Sequence, residues 1–147
     1  MGAEPLILYK SQLHLRLESE WPFLDDATRS VVVWCGGYSS MEWGRRLTLT
    51  TIYRTQAEQD LIYQNNEKYQ ESPWKSYHQL YLAVDFRFSP LSELQWKALE
   101  ARCKTLFFHL GTKFVIHSPG GPSAPHVHLE THRNYQGVLD YVRNARG

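Results

Sequence analysis

Pro125-His126-Val127-His128-Leu129-Glu130 is the stretch on which the reading turns. Along a β-strand successive side chains alternate between faces, so residues two apart share one. A strand over His126–Thr131 therefore sets His126, His128 and Glu130 on one face and Val127 and Leu129 on the other. Three ionisable groups opposite two apolar ones describe a sheet with one buried face and one face able to carry chemistry. The bland alternative is a half-exposed edge strand whose polar side meets water.

Upstream of it, Ser118–Pro125 is a loop dense in Gly, Pro and Ser, and Thr112–His117 reads as another strand. Ser89-Pro90 is a helix start, because proline suits the first helical turn. Leu91, Leu94, Leu99, Cys103 and Leu106-Phe107 give that helix an apolar stripe, and Gly111 stops it. Leu80–Phe88 is rich in aromatic and branched residues and reads as a strand, as does the alternating Leu47–Tyr53. Between these two, Thr55 caps a helix from Gln56 to about Tyr69, with Glu58 completing a capping box. Asp25 or Asp26 caps a helix over Ala27–Tyr38 that Gly36-Gly37 ends. The first 25 residues are mixed and give no element, and Tyr135–Arg143 reads as a short closing helix. The sum is an α+β fold: one domain over residues 1–147, built on a small, mainly antiparallel sheet of about four strands with helices on one side.

Composition narrows the function classes. Sixteen Lys and Arg against 15 Asp and Glu leave a net charge of +1 in 147 residues, and no basic run exceeds Arg45-Arg46. That balance gives no footprint for nucleic acid. An aromatic content of 14% excludes a disordered chain. Cys35 and Cys103, 68 residues apart, make no disulfide scaffold and read as reduced, partly buried thiols. Val31–Cys35 is too short an apolar run for a membrane span, and Met1–Lys10 has no basic segment followed by a long apolar one. The expectation is a monomer made in the cytoplasm without a signal peptide, with no membrane and no nucleic-acid partner.

A second stretch, Ser76-Tyr77-His78-Gln79-Leu80-Tyr81-Leu82-Ala83-Val84-Asp85, sharpens the first. Asp85 lies in a strand that otherwise looks buried, and a buried unpaired carboxylate is very costly. A metal ion would supply its partner. His78 and Asp85 are seven apart, an odd spacing that sets them on opposite faces of a straight strand, so a bend or bulge is needed if they meet. Two histidines and one carboxylate leave an open fourth position on zinc, the arrangement of catalytic rather than structural sites.

Ser-x-His-x6-Asp followed by His-x-His resembles the D-alanyl-D-alanine carboxypeptidase and L-alanyl-D-glutamate endopeptidase family. The zinc-binding domain of hedgehog proteins shares that fold, and many bacteriophage endolysins belong to the family. Ile52-Tyr53-Arg54-Thr55-Gln56-Ala57-Glu58-Gln59 is similar to its Tyr-Arg-Ser-x-x-x-Gln segment, and the likeness covers roughly residues 45 to 131. The resemblance implies zinc on His78, Asp85 and His128, His126 beside the metal, and Arg54 and Ser76 against the substrate. It implies a peptidase cutting peptidoglycan stem peptides, reaching the bacterial wall by host-cell lysis. Two positions depart from the pattern. Tyr81 stands where the family usually has Gly, three residues after the first ligand. Pro125 and Ser123 stand where an acidic general base would precede His128 or His126, which leaves His126 and Glu130 as the groups to manage protons. A zinc-stabilised domain without catalysis is the alternative, and a metal-free chain with incidental histidines a further one.

The remaining histidines, His14, His109, His117 and His132, read as surface or structural, with His117 able to orient a zinc-bound imidazole. Trp74 and Tyr77 are expected to line a cleft, and Arg54 could instead pair with Glu58 four residues on.

Overall fold

Leu47, Leu49, Val84, Phe86, Val127 and Leu129 are buried at every second position of three strands, and they build the sheet from the inside out. The structure, a computed structural model, describes residues 6–132. The expected helix over Tyr135–Arg143 lies outside them. Five strands form one sheet in the order β1-β2-β3-β5-β4: β1 (Ile7–Tyr9), β2 (Leu47–Thr51), β3 (Ala83–Arg87), β4 (Lys113–His117) and β5 (His126–Glu130). The fold is α+β, as expected, but the sheet is mixed and has five strands rather than about four. β1 pairs parallel with β2, and the other three pairings are antiparallel. A parallel pair needs a long crossover. The crossover is α1 (His14–Glu20) followed by α2 (Asp26–Trp43), and its first half lies in the segment that carries no readable periodicity.

The apolar face of the sheet packs on α2 and on α5 (Glu93–Leu106). Val31, Val32 and Cys35 of α2 and Trp96, Leu99 and Cys103 of α5 join the strand residues in one core. Each such side chain contributes about 1.5–3 kcal/mol of transfer free energy. Trp96 is fully buried and its Nε1–H donates to the Phe88 carbonyl at 2.7 Å. Cys35 and Cys103 meet where the two helices touch; both are free and fully buried, and burial pushes the Cys35 thiol up.

Asp25 is the N-cap of α2, its carboxylate accepting from the amides of Ala27 and Thr28. The helix does not stop at Gly36-Gly37. It runs on to Trp43, and Gly44, left-handed at φ 63°, ends it. Gly36 is there for space: a Cβ would sit 2.5 Å from Ile7 Cδ1 and 3.0 Å from the Leu6 carbonyl, so its absence lets β1 lie close against the helix. The expected helix to Tyr69 is two pieces, α3 (Gln56–Ile62) under the Thr55–Glu58 capping box and α4 (Glu67–Glu71) capped by Asn66. Helix α5 is capped by Ser92 and Gln95 rather than opened at Ser89-Pro90. Its stripe is Trp96, Leu99 and Cys103, spaced three and four apart, while Leu94 and Leu106 face water.

Candidate metal centre

The polar face of the sheet is the floor of a cleft. Because β5 lies between β3 and β4, Asp85 stands opposite His128 and Arg87 opposite His126. Val115 and His117 continue these two rungs on the far side of β5. Two lobes of about 650 and 550 Å³ open above the floor, and both are lined by Arg54, Tyr63, Asp85, His117 and His126.

His78 arrives from outside the sheet. The chain does not enter β3 at Leu80, as its composition suggests, but forms a 3-10 turn over Tyr77–Leu80 and starts the strand at Ala83. Ser76 caps that turn, accepting from the His78 amide at 3.1 Å, and Tyr81 closes it in the left-handed conformation at φ 56°. This is the bend that the seven-residue spacing requires. Tyr81 adopts the backbone that glycine allows without penalty, and its ring stacks on Tyr53 with centroids 4.9 Å apart.

His78, Asp85 and His128 converge. One ligand atom from each lies within 4.8 Å of the other two. His78 is fully buried and Asp85 is 7% exposed. His78 Nδ1–H donates to the Ile52 carbonyl at 3.0 Å, which leaves Nε2 facing Asp85 Oδ1 at 3.2 Å. In the neutral imidazole two lone pairs would meet there, so the geometry calls for a cation between them. His128 faces Asp85 Oδ1 through Nδ1 at 3.1 Å and Glu130 Oε1 through Nε2 at 2.9 Å. Burial opposes a charge on His128, but the hydrogen bonds and charges of Asp85 and Glu130 outweigh it and raise its pKa to about 9. Burial likewise works against the Asp85 carboxylate. The nearby His78 and His128 prevail and hold it well below the usual carboxylate range.

The three residues fit a metal ion. Two imidazole nitrogens and a carboxylate oxygen are donors that a metal ion accepts. Each imidazole is held from behind, His78 by a backbone carbonyl and His128 by a carboxylate, which fixes the ring and its tautomer. The cluster could hold a metal ion.

Of the other expected residues, Arg54 and Ser76 do come together: Arg54 Nη1 donates to Ser76 Oγ at 3.4 Å and to Gln59 Oε1 at 2.8 Å. Arg54 does not pair with Glu58, because Arg16 of α1 takes that carboxylate with both Nη atoms, at 2.9 and 2.7 Å. His126 lines both lobes; its Nδ1–H donates to the Ala124 carbonyl at 2.7 Å and its ring stacks on His117 at 4.2 Å. Glu130 is bound to His128 and reaches His132 Nε2 at 3.8 Å. Trp74 and Tyr77 line the lobe that contains His78.

Two residues escaped the sequence reading. Gln59 is fully buried, accepts from Arg54 and donates to the Trp74 carbonyl at 3.2 Å; its signal was the last residue of the Tyr-Arg-Ser-x-x-x-Gln likeness. Arg16 has none, since nothing local marks a helical arginine as the partner of Glu58. His132, read as surface or structural, lies against Tyr77 and reaches Glu130.

No protein-family model, curated protein or solved structure matches the chain. Among the described residues no helix is long and apolar enough to cross a membrane.

Proposed function

We propose that this chain is a zinc-dependent peptidase of the D-alanyl-D-alanine carboxypeptidase and L-alanyl-D-glutamate endopeptidase type. In this reading it hydrolyses peptidoglycan stem peptides as a bacteriophage endolysin-like enzyme acting on the bacterial wall. The observation that carries the reading is the His78, Asp85 and His128 cluster, with donor atoms within 4.8 Å of one another on the floor of an open cleft. A zinc ion there would supply Lewis acidity, polarising a scissile carbonyl and lowering the pKa of water.

The chain's own residues would do the rest. Arg54, held by Gln59 and Ser76, offers a fixed guanidinium to a substrate carbonyl or to the oxyanion that develops from it. His126 has Nδ1 committed to the Ala124 carbonyl, so Nε2 is the atom left to take and return a proton. Glu130 could serve as base only by giving up His128, so the proton work falls to His126. One observation favours the alternative of a non-catalytic zinc-stabilised domain: Ser123 and Pro125 line the cleft where a carboxylate base is expected.

Digestion of purified peptidoglycan with and without a chelator, alongside elemental analysis, tests the reading. One equivalent of zinc with chelator-sensitive release of new amino termini upholds it. Zinc without new termini on any wall chemistry supports the non-catalytic domain, and no zinc after loading removes the metal site. His128→Ala should lose zinc, whereas His126→Ala should keep it and lose activity; the reverse would exchange their roles.

A further inference from the structure

On the rung next to the metal cluster Arg87 carries a charge that no described residue pairs. On the cleft floor Arg87, His126 and His117 stand side by side on β3, β5 and β4, two residues along from Asp85, His128 and Val115. Two residues of strand are about 7 Å. Arg87 lines the larger lobe together with Lys10, which follows β1 and is tied to β2 by its backbone N–H donating to the Leu49 carbonyl. The lobe's two glutamates, Glu20 and Glu58, are both taken by Arg16. Among the described residues neither Lys10 nor Arg87 has an ion-pair partner, and the lobe's remaining carboxylate, Asp85, is taken by His78 and His128.

We propose that Arg87 and Lys10 form an anion subsite that binds a carboxylate of the peptide substrate, about two residue lengths from the bond placed at the metal. This rests on the peptidase reading and deepens it. The length of an extended peptide residue matches the strand rise, so a substrate lying along the floor brings its second residue from the scissile bond to the Arg87 rung. A guanidinium with an ammonium nearby favours a carboxylate over its amide, because only the anion gives charge-assisted hydrogen bonds. The substrate class is thus an acidic peptide, selected by charge at a fixed distance from the cut.

The test uses the metal-loaded full chain and two synthetic stem peptides that differ only in a free carboxylate or a carboxamide at that residue. The wild type should prefer the carboxylate peptide roughly tenfold in kcat/KM. Arg87→Ala should erase the preference, Arg87→Lys restore part of it, and added salt narrow it. A preference that survives in Arg87→Ala and in Arg87→Ala/Lys10→Ala, or no preference in the wild type, overturns the subsite. If the wild type cuts neither peptide, the peptidase reading fails separately, and equilibrium binding of the same two peptides decides. Tighter binding of the carboxylate form, lost in Arg87→Ala, upholds the subsite, and equal binding of the two peptides overturns it.

Discussion

Metal uptake by this chain should release a proton, and His128 should be its source. Both ring nitrogens of His128 face carboxylates, at 3.1 and 2.9 Å. Both contacts need a hydrogen, so the metal-free ring is an imidazolium. Its rise from 6.5 to about 9 corresponds to about 3 kcal/mol between the two protonation states. A metal ligand must be neutral. At pH 7.5 about 3% of a group titrating at 9 is neutral, so apparent affinity there is about 30-fold below its alkaline limit. Affinity should climb about tenfold per pH unit from 6.5 until it levels near 9. Calorimetry of zinc binding in two buffers of different ionisation enthalpy at pH 7.5 should give at least one proton released. An unperturbed histidine would already be mostly neutral at that pH and release almost none. Near-zero release with a flat affinity between pH 7.5 and 9 would refute the reasoning. The same shift fixes the stability of the metal-free chain. A raised folded pKa stabilises fully below 6.5, and the benefit is lost as pH climbs through about 9. Asp85, lowered, stabilises above its ordinary 3.8, and that benefit is lost as pH falls. The metal-free melting temperature should therefore peak between these limits and drop from pH 6.5 to 9, while the zinc-loaded chain gains relative to it over the same range.

Other perturbations separate neighbouring residues that look alike in sequence. Gly36→Ala should destabilise by about 1–3 kcal/mol through its clash with β1. Gly37→Ala, whose Cβ would meet nothing closer than 3.8 Å, should stabilise by up to about 1 kcal/mol; chemical denaturation of the pair checks both. Tyr81→Gly should exceed Tyr81→Ala in stability by about 1 kcal/mol, against the usual order, because φ is 56° there; a more stable alanine variant would deny the left-handed backbone. Gln59→Leu should cost about 1–3 kcal/mol in a urea titration by stranding the Trp74 carbonyl and one Arg54 donor. It should also weaken peptide binding through Arg54.

Much of the site was legible because its signals are local. Alternation over His126–Glu130 separates the polar from the apolar face, and the structure has Val127 and Leu129 buried with His126, His128 and Glu130 on the cleft side. The Thr55–Glu58 capping box and the Asp25 cap are likewise short-range chemistry. Failures cluster where a distant contact overrides the local preference. Gly36-Gly37 reads as a stop, yet the helix continues because β1 needs the absent side chain. Leu94 and Leu106 satisfy a helical period but lie off the buried stripe, since the sheet fixes which side of α5 turns inward.

The sequence by itself determined which residues share a face, since a strand's two-residue period is set by backbone geometry alone. It also determined that Asp85 required a partner, because a buried carboxylate is costly wherever the chain takes it. The tertiary structure decided who the partners are. Pairing of β5 between β3 and β4 brings His128 to Asp85 and His126 to Arg87 across more than 35 residues of chain. The turn through Tyr81 carries His78 onto the same carboxylate. Strand order and register follow from burying one face against α2 and α5 while closing every backbone hydrogen bond, a condition on the whole chain that no single segment contains.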